Sequence, residues 1–429
     1  MNEVYNGNCL EVLKTFPDNS IDSVVTDPPY GISFMNKHWD YDVPKVEVWK
    51  EIYRLLKPGA HVLCACGTRT QHRMAVNIED AGFEIRDVIT WHYGSGFPKS
   101  LDISKAIDKQ AGVEREVVGE KVRGDVQAAK ANGVTMAAAD ANKNNSAIFG
   151  YGVEKLTIPS TDEAKEWEGW GTALKPATEF WTLARKPLSE KTVAENVLKY
   201  GTGGINIDGS RVETSEVKEN DSQFNAGFWQ KSGMKGERWS GDGTNNPLGR
   251  FPANVIFDEF TGKILDEQTG ILTSGTGAIR KNAEGLFGLG GDGMANVEYG
   301  DSGGASRFFY CPKADNYERN KGLKGFDGKQ TNDGREKDID NAFQRGTSVR
   351  QNHHPTVKPI DLMRYLVKLI TQKRGICLDP YCGSGTTLIG CKMELINYIG
   401  IEREEEYCKI AEARVAAWNP ERFIEQKLF

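Results

Sequence analysis

An acid, two prolines and a tyrosine stand together at Asp27-Pro28-Pro29-Tyr30, directly after the apolar, β-branched run Ile21-Asp22-Ser23-Val24-Val25-Thr26. Such a run reads as a buried strand. Two consecutive prolines have no amide N–H and a fixed φ, so they end the strand and hold the backbone extended. Asp27 is thereby fixed at a strand's carboxyl end, where open α/β sheets place their ligands. Its carboxylate and the Pro28 carbonyl form a pair of acceptors, and Tyr30 adds an aromatic face. Two acceptors and a stacking plane suit a planar ring carrying an exocyclic NH2, such as an adenine or cytosine turned out of a duplex. Four residues could equally be a loop that ends a strand, so the reading depends on a second site.

That second site lies near the other end of the chain. Gly375-Ile376-Cys377-Leu378-Asp379 reads as a short strand, followed by Pro380-Tyr381-Cys382-Gly383-Ser384-Gly385-Thr386-Thr387 and a helical stretch from Leu388 to Leu395. Gly383 and Gly385 permit a tight turn and close approach of backbone to ligand. The helix N-terminus then presents unpaired N–H groups. A further strand, Asn397 to Ile401, ends at Glu402, 23 positions after Asp379. An acid at about 20 positions suits ribose hydroxyls. A nicotinamide dinucleotide fits less well. Leu388 stands where the third glycine of its fingerprint belongs, and Asp379 would repel a pyrophosphate. A cationic cofactor would be welcomed there.

With both halves in view, the chain resembles the S-adenosylmethionine-dependent DNA amino-methyltransferases of the permuted β class, in which the D-P-P-Y half precedes the cofactor half. His354-Pro355-Thr356-Val357-Lys358-Pro359 is similar to that family's H-P-T-x-K-P element, and Gly7-Asn8-Cys9 to its segment bordering the cofactor adenine. The resemblance implies Asp27, Pro28, Pro29 and Tyr30 as the catalytic residues. It implies Asn8, Cys9, Thr356, Lys358, Asp379, Tyr381, Gly383, Ser384, Gly385, Thr386 and Glu402 as the cofactor-binding set. S-adenosyl-L-methionine is the implied cofactor and double-stranded DNA the implied substrate. Thr178-Glu179-Phe180-Trp181-Thr182-Leu183-Ala184 resembles the strand whose acid and aromatics line the target pocket.

The elements that must position these residues follow from periodicity. Residues 1–105 alternate strand and helix patterns, with Val48, Ile52, Leu55 and Leu56 on one helical face. A helix is expected over 70–81, and strands from Ala60 to Ala65 and from Arg86 to Trp91, with Lys57-Pro58-Gly59 breaking the chain before the first. Alternation of this kind implies an α/β fold with a mostly parallel sheet covered on both faces, which the resemblance specifies as the Rossmann-like sheet of class I methyltransferases. The expected division is a catalytic half over 1–105, an insertion over 106–170, a return to the sheet over 171–200, a target-recognition region over 201–350 and a cofactor half over 351–429. The insertion reads as helical or loosely structured, with a small, polar stretch from Ala131 to Ser146. Residues 201–350 hold 27 of the 47 glycines, a composition of loops and short strands around rigid islands such as Asn254 to Phe257 and Arg307 to Tyr310. Phe228, Trp229 and Trp239 stand there among Lys231, Lys235 and Arg238. Each could meet bases and phosphates or pack beneath a loop.

Composition sets outer bounds. With 38% hydrophobic and 27% charged residues, and without an apolar run long enough to span a membrane, the chain reads as soluble. A net charge of −6 argues against coating DNA non-specifically but not against a basic cleft, to which Arg69, Arg73 and the Arg345 to Arg350 stretch could contribute. The eight cysteines form no C-x-x-C, so no metal is expected and a reducing cytoplasm fits. The leading expectation is an adenine-N6 methyltransferase, since Asp at the first motif position goes with adenine more often than cytosine in the family. Cytosine-N4 methylation is the near alternative. A catalytically silent DNA-binding protein and an NAD-dependent oxidoreductase are the alternatives of other classes. A homodimer, a cognate restriction endonuclease and an orphan enzyme are all compatible with the sequence.

Overall fold

A computed structural model of the chain describes residues 2–32, 41–94, 96, 100–122, 153–212, 249–273, 302–312, 317–331 and 348–420. Among these, eight strands form one sheet: β1 (Asn2–Asn6), β2 (Ile21–Thr26), β3 (Leu56–Gly67), β4 (Glu84–His92), β5 (Thr178–Arg185), β6 (Val255–Phe257), β7 (Ile376–Asp379) and β8 (Asn397–Glu402). Their order across the sheet is β1-β8-β7-β2-β3-β5-β4-β6. Neighbours run parallel except at β5, which is antiparallel to both β3 and β4. The mostly parallel α/β sheet expected from the sequence is therefore present, in the order of a class I methyltransferase.

Helices cover both faces because successive strand residues point to opposite sides. Val25 and Leu63 pack with Leu362, Leu366 and Leu388 on one face. Val24, Val62 and Cys64 pack with Ile52, Met74 and Ile78 on the other. The helices framing the site are α1 (Cys9–Leu13), α2 (Val46–Leu55), α3 (Gln71–Asp80), α4 (Ile360–Ile370), α5 (Thr386–Met393) and α6 (Glu405–Ala416). In α2, Val48, Trp49, Ile52 and Leu55 form the buried stripe. Pro359 stands at the start of α4, where a missing amide costs nothing.

Three details differ from the sequence reading. Lys57-Pro58-Gly59 does not precede the strand but bulges within it. Leu56 pairs with Ile21 and His61 with Ser23, so the residues between leave the ladder where proline has no donor and Gly59 takes a φ of +82°. Val255–Phe257, expected as an island among loops, is the edge strand of the sheet beside β4. The insertion is not simply helical. Helices Ile103–Gln110 and Asp162–Glu166 flank an antiparallel pair, Val117–Val122 with Val153–Thr157. The buried Asp108 knits this module together by accepting from Ser160 N, Thr161 N and Thr161 Oγ1 and by pairing with Arg115 at 3.0 Å. Ala131 to Ser146, the aromatic and basic residues between Phe228 and Trp239, and Arg345 lie outside the described residues.

Candidate active site

The carboxyl ends of β2 and β7 are adjacent, and each carries an acid. At the end of β2, Tyr30 folds back so that its hydroxyl donates to Asp27 Oδ1 at 2.8 Å. Because β5 runs antiparallel, it begins at the edge where β3 ends, and Glu179 pairs in register with Gly67. Glu179 Oε2 thereby lies 3.2 Å from the Tyr30 hydroxyl. Lys358, from the segment before α4, completes the cluster. Its ammonium is 3.0 Å from Asp27 Oδ2, 3.0 Å from Glu179 Oε2 and 3.2 Å from the Tyr30 oxygen. Burial works against the Lys358 charge, but Asp27 and Glu179 outweigh it and hold its pKa above the ordinary lysine value. Burial and the same two acids push the Tyr30 phenol well above its usual range, so it serves as a neutral donor.

The loop that carries Tyr30 is fixed from β3 and α3. Thr70 Oγ1 donates to the Tyr30 carbonyl at 2.6 Å, and the ring packs against Gly67, where a β-carbon would come within 3.2 Å of Tyr30 Cδ2. Arg69 and Arg73 are exposed beside this turn.

The end of β7 is built differently. Asp379 is buried, and its Oδ1 accepts from Thr26 Oγ1 at 2.7 Å and from Tyr381 N at 3.1 Å. Burial pushes its carboxyl up to about 6, with hydrogen bonds from Thr387 and Thr26 working the other way. The turn that follows needs its glycines. Gly383 and Gly385 have φ of +51° and +80°, and β-carbons there would lie 2.7 Å from His354 Nε2 and 2.9 Å from Ala411 Cβ. Gly383 N donates to Glu402 Oε2 at 3.0 Å and Glu404 N to Glu402 Oε1 at 2.9 Å. Burial raises the Glu402 carboxyl. The N-terminal segment closes the site from the far side. Gly7 N donates to the Glu402 carbonyl at 2.9 Å, Asn8 caps α1 through Leu10 N, and Cys9 Sγ lies 3.3 Å from the Tyr381 hydroxyl.

The residues singled out by sequence thus fall into two abutting groups. Lys358, expected among the cofactor-binding residues, stands against Asp27 and Glu179, because a buried ammonium takes carboxylate partners. Ser384 and Thr386 turn their hydroxyls inward to the buried Arg414 of α6, whose Nη1 reaches Ser384 Oγ at 2.9 Å, Ser384 O at 2.5 Å and Thr386 Oγ1 at 3.2 Å. Thr356 is exposed, and its carbonyl meets His354 Nδ1 at 3.2 Å. His354, held neutral by burial with a pKa of about 4, lies under Gly383. The segment from His354 to Lys358 therefore runs from the glycine turn to the target-side acid. Sequence reasoning missed Thr387 and Arg414. Thr387 had a signal, the hydroxyl repeated at the helix start; a single arginine in a C-terminal helix had none.

A class I methyltransferase sheet bearing an acid–proline–proline–tyrosine cluster beside an acid–glycine turn defines the class of this molecule. The model of the N6/N4 DNA methylase family matches residues 21–413, and the chain belongs to that family. Curated relatives match over shorter stretches. They include the type II methyltransferase M2.MboI of Moraxella bovis (41% identity over 70 residues, 16% of this chain and 26% of the relative). M2.DpnII of Streptococcus pneumoniae is 37% identical over 93 residues, 21% of this chain and 35% of the relative. The matched segments thus span only about a quarter to a third of these relatives' lengths. Among solved structures, the PvuII DNA methyltransferase (cytosine-N4-specific) aligns at 13% identity with a TM-score of 0.41, over 99% of this chain and 91% of that one. The M1.HpyAVI–SAM complex aligns at 14% identity and 0.38, over 97% and 99%.

Proposed function

We propose that this chain transfers a methyl group from S-adenosylmethionine to the exocyclic amine of a base turned out of double-stranded DNA, with adenine N6 as the acceptor. The observation that carries the reading is the link between two adjacent parallel strands: Thr26, the residue before Asp27, donates to Asp379 across 2.7 Å. A target-side acid and a cofactor-side acid are thus held in one rigid piece, as two-substrate positioning requires.

The cofactor-side residues suit a cation. An acid that burial pushes up to about 6 gains from a nearby positive charge, which S-adenosylmethionine carries at its sulfonium and ammonium. Asp379, Tyr381, Gly383, Glu402 and the Asn8–Cys9 segment would hold it, and it would supply an electrophilic methyl group. The chain's own residues do the rest. The amine lone pair is delocalised into the ring, so the nitrogen must become tetrahedral to react. Asp27 and the Pro28 carbonyl accept its two hydrogens and stabilise the charge that develops. Asp27 need not be a strong base, because the proton becomes acidic only once the nitrogen carries a positive charge. Tyr30 and Glu179 would border the pocket, and an extruded base is required because the amine is unreachable within the duplex.

Aspartate at the first motif position supports adenine over cytosine, with cytosine N4 the second reading. The names of the relatives, type II methyltransferases, support a restriction–modification setting. Flanking bases must be read outside the pocket, and residues 201–350 are proposed for that role. Modified-base sequencing of DNA from cells expressing the chain is the test. N6-methyladenine at one short sequence is expected. N4-methylcytosine would replace the acceptor, and no modified base together with co-purified nicotinamide dinucleotide would overturn the reading.

A further inference from the structure

Lys358 is saturated as it stands. An ammonium has three protons, and its three contacts are Asp27 Oδ2, Glu179 Oε2 and the Tyr30 oxygen. Asp27 is also engaged at both oxygens, by Tyr30 at Oδ1 and Lys358 at Oδ2. Each carboxylate oxygen can take a second donor, so Asp27 can accept an amine hydrogen with both contacts kept, but Lys358 has no proton to offer a base unless it gives one contact up. Lys358 can leave Asp27 without being stranded as a buried charge, because Glu179 keeps it.

The chemistry of the target says where the released proton points. In adenine and cytosine the amine-bearing carbon is also bonded to a ring nitrogen with a lone pair, so donor and acceptor stand side by side. Asp27 Oδ2 and Lys358 Nζ, 3.0 Å apart, are the complementary acceptor and donor. We propose that Lys358 hydrogen-bonds the ring nitrogen beside the amine, adenine N1 or cytosine N3, while Glu179 acts as the positioning residue that holds the ammonium there. This inference rests on the proposed function and adds to it a specificity rule. Guanine and thymine present a carbonyl in place of the amine and an N–H in place of the bare nitrogen. The carbonyl would face the Asp27 carboxylate and the N–H would face the Lys358 ammonium, so both contacts become repulsive. A pocket made to pair polar groups rejects such mismatches strongly.

The test compares duplexes carrying adenine or 1-deazaadenine at the target position, the second keeping the amine but replacing N1 with C–H. Single-turnover methylation and duplex affinity are measured for the wild type, Lys358→Met, Lys358→Gln, Glu179→Gln and Glu179→Asp, each checked for folding by thermal melting. The wild type should prefer adenine by roughly 10- to 100-fold, the worth of a hydrogen bond to a charged group. Lys358→Met should be slow on adenine and lose the preference. Lys358→Gln, which keeps a donor, should retain part of it and serves if the methionine variant does not fold. Glu179→Gln should shrink the preference and Glu179→Asp restore some of it, which a merely structural acid would not do. Dividing each variant's ratio by the wild-type ratio cancels the different intrinsic reactivity of the two amines. Lys358 variants that keep the full wild-type preference would overturn the inference and leave the proposed function standing. A wild type that methylates no duplex overturns both. If the product is N4-methylcytosine, 3-deazacytosine takes the place of 1-deazaadenine.

Discussion

Asp27 and Asp379 stand at the carboxyl ends of neighbouring parallel strands, yet their surroundings are opposite in kind. Asp27 has a lysine ammonium on one oxygen and a phenol on the other, in a cluster that is charged and fully partnered. Asp379 has two threonine hydroxyls and a backbone amide, and burial pushes it up to about 6. The difference follows from which segments reach each strand end. The His354-to-Lys358 segment brings a cation to β2, whereas the turn after β7 brings glycines and N–H groups. Asp27 already has its cation, whereas Asp379 has only neutral donors, the setting in which a positively charged ligand stabilises a carboxylate most.

The largest effect is expected from removing the acid at the end of β2. Asp27→Ala should leave S-adenosylmethionine affinity nearly intact, because the proposed cofactor contacts are those of Asp379, Gly383 and Glu402. Methyl transfer should fall by 10²–10³, or about 3–4 kcal/mol of barrier, the usual cost of one charge-stabilising group. Calorimetry and single-turnover kinetics on the same preparation separate the two effects. Lost affinity with turnover preserved would exchange the roles assigned to the two strand ends.

Asp379→Asn probes the other acid and has a signed pH dependence. The folded value of about 6 lies above the ordinary 3.8, so between these pH values the folded state binds a proton that the unfolded state does not. This group's contribution is therefore most favourable below 3.8, worsens as pH rises to about 6 and stays unfavourable above it, by roughly 3 kcal/mol. Asparagine keeps the oxygen that Thr26 and Tyr381 N bond to but carries no charge. The variant should accordingly be more stable than the wild type at neutral pH without cofactor, with the difference shrinking as pH falls from 6 to 4. Its affinity for S-adenosylmethionine should nevertheless drop, and the wild type's affinity should rise with pH through about 6. Chemical denaturation across that range, with and without cofactor, measures both.

Much of this contrast was legible from the chain alone, because it depends on short-range rules. Ile21 to Thr26 read as a buried strand, the two prolines after Asp27 read as its end, and Gly383 and Gly385 marked a tight turn. What the sequence could not show were contacts between residues far apart along the chain. Lys358 to Asp27, Thr26 to Asp379 and Arg414 to Ser384 each join segments hundreds of positions apart or cross between helix and turn. The motif match groups Lys358, Ser384 and Thr386 with the expected cofactor-binding residues, and it could not show that Lys358 meets Asp27 and Glu179 or that the two hydroxyls meet Arg414. The edge strand Val255–Phe257 was hidden for a related reason. A three-residue strand has too little periodicity to stand out from a glycine-rich stretch, and its identity comes from pairing with β4.

The contact between the glycine turn and Arg414 yields the smallest effect and the finest distinction between the two regions. Ser384 follows Gly383 in the glycine turn, and a direct role in holding cofactor would make Ser384→Ala costly to affinity. The structure instead directs its hydroxyl to Arg414, which also bonds the Ser384 carbonyl and the Thr386 hydroxyl. Removing one of several acceptors leaves the guanidinium partnered, so the loss should be that of a single hydrogen bond, about 1 kcal/mol of folding stability. Affinity for S-adenosylmethionine should stay at the wild-type level. Arg414→Met would remove all of these contacts at once and should loosen the turn, lowering affinity and stability together. Measured side by side by thermal melting and calorimetry, the pair tests whether Arg414 supports the turn from behind. A large affinity loss in Ser384→Ala with unchanged stability would return that hydroxyl to the cofactor and leave Arg414 as packing alone.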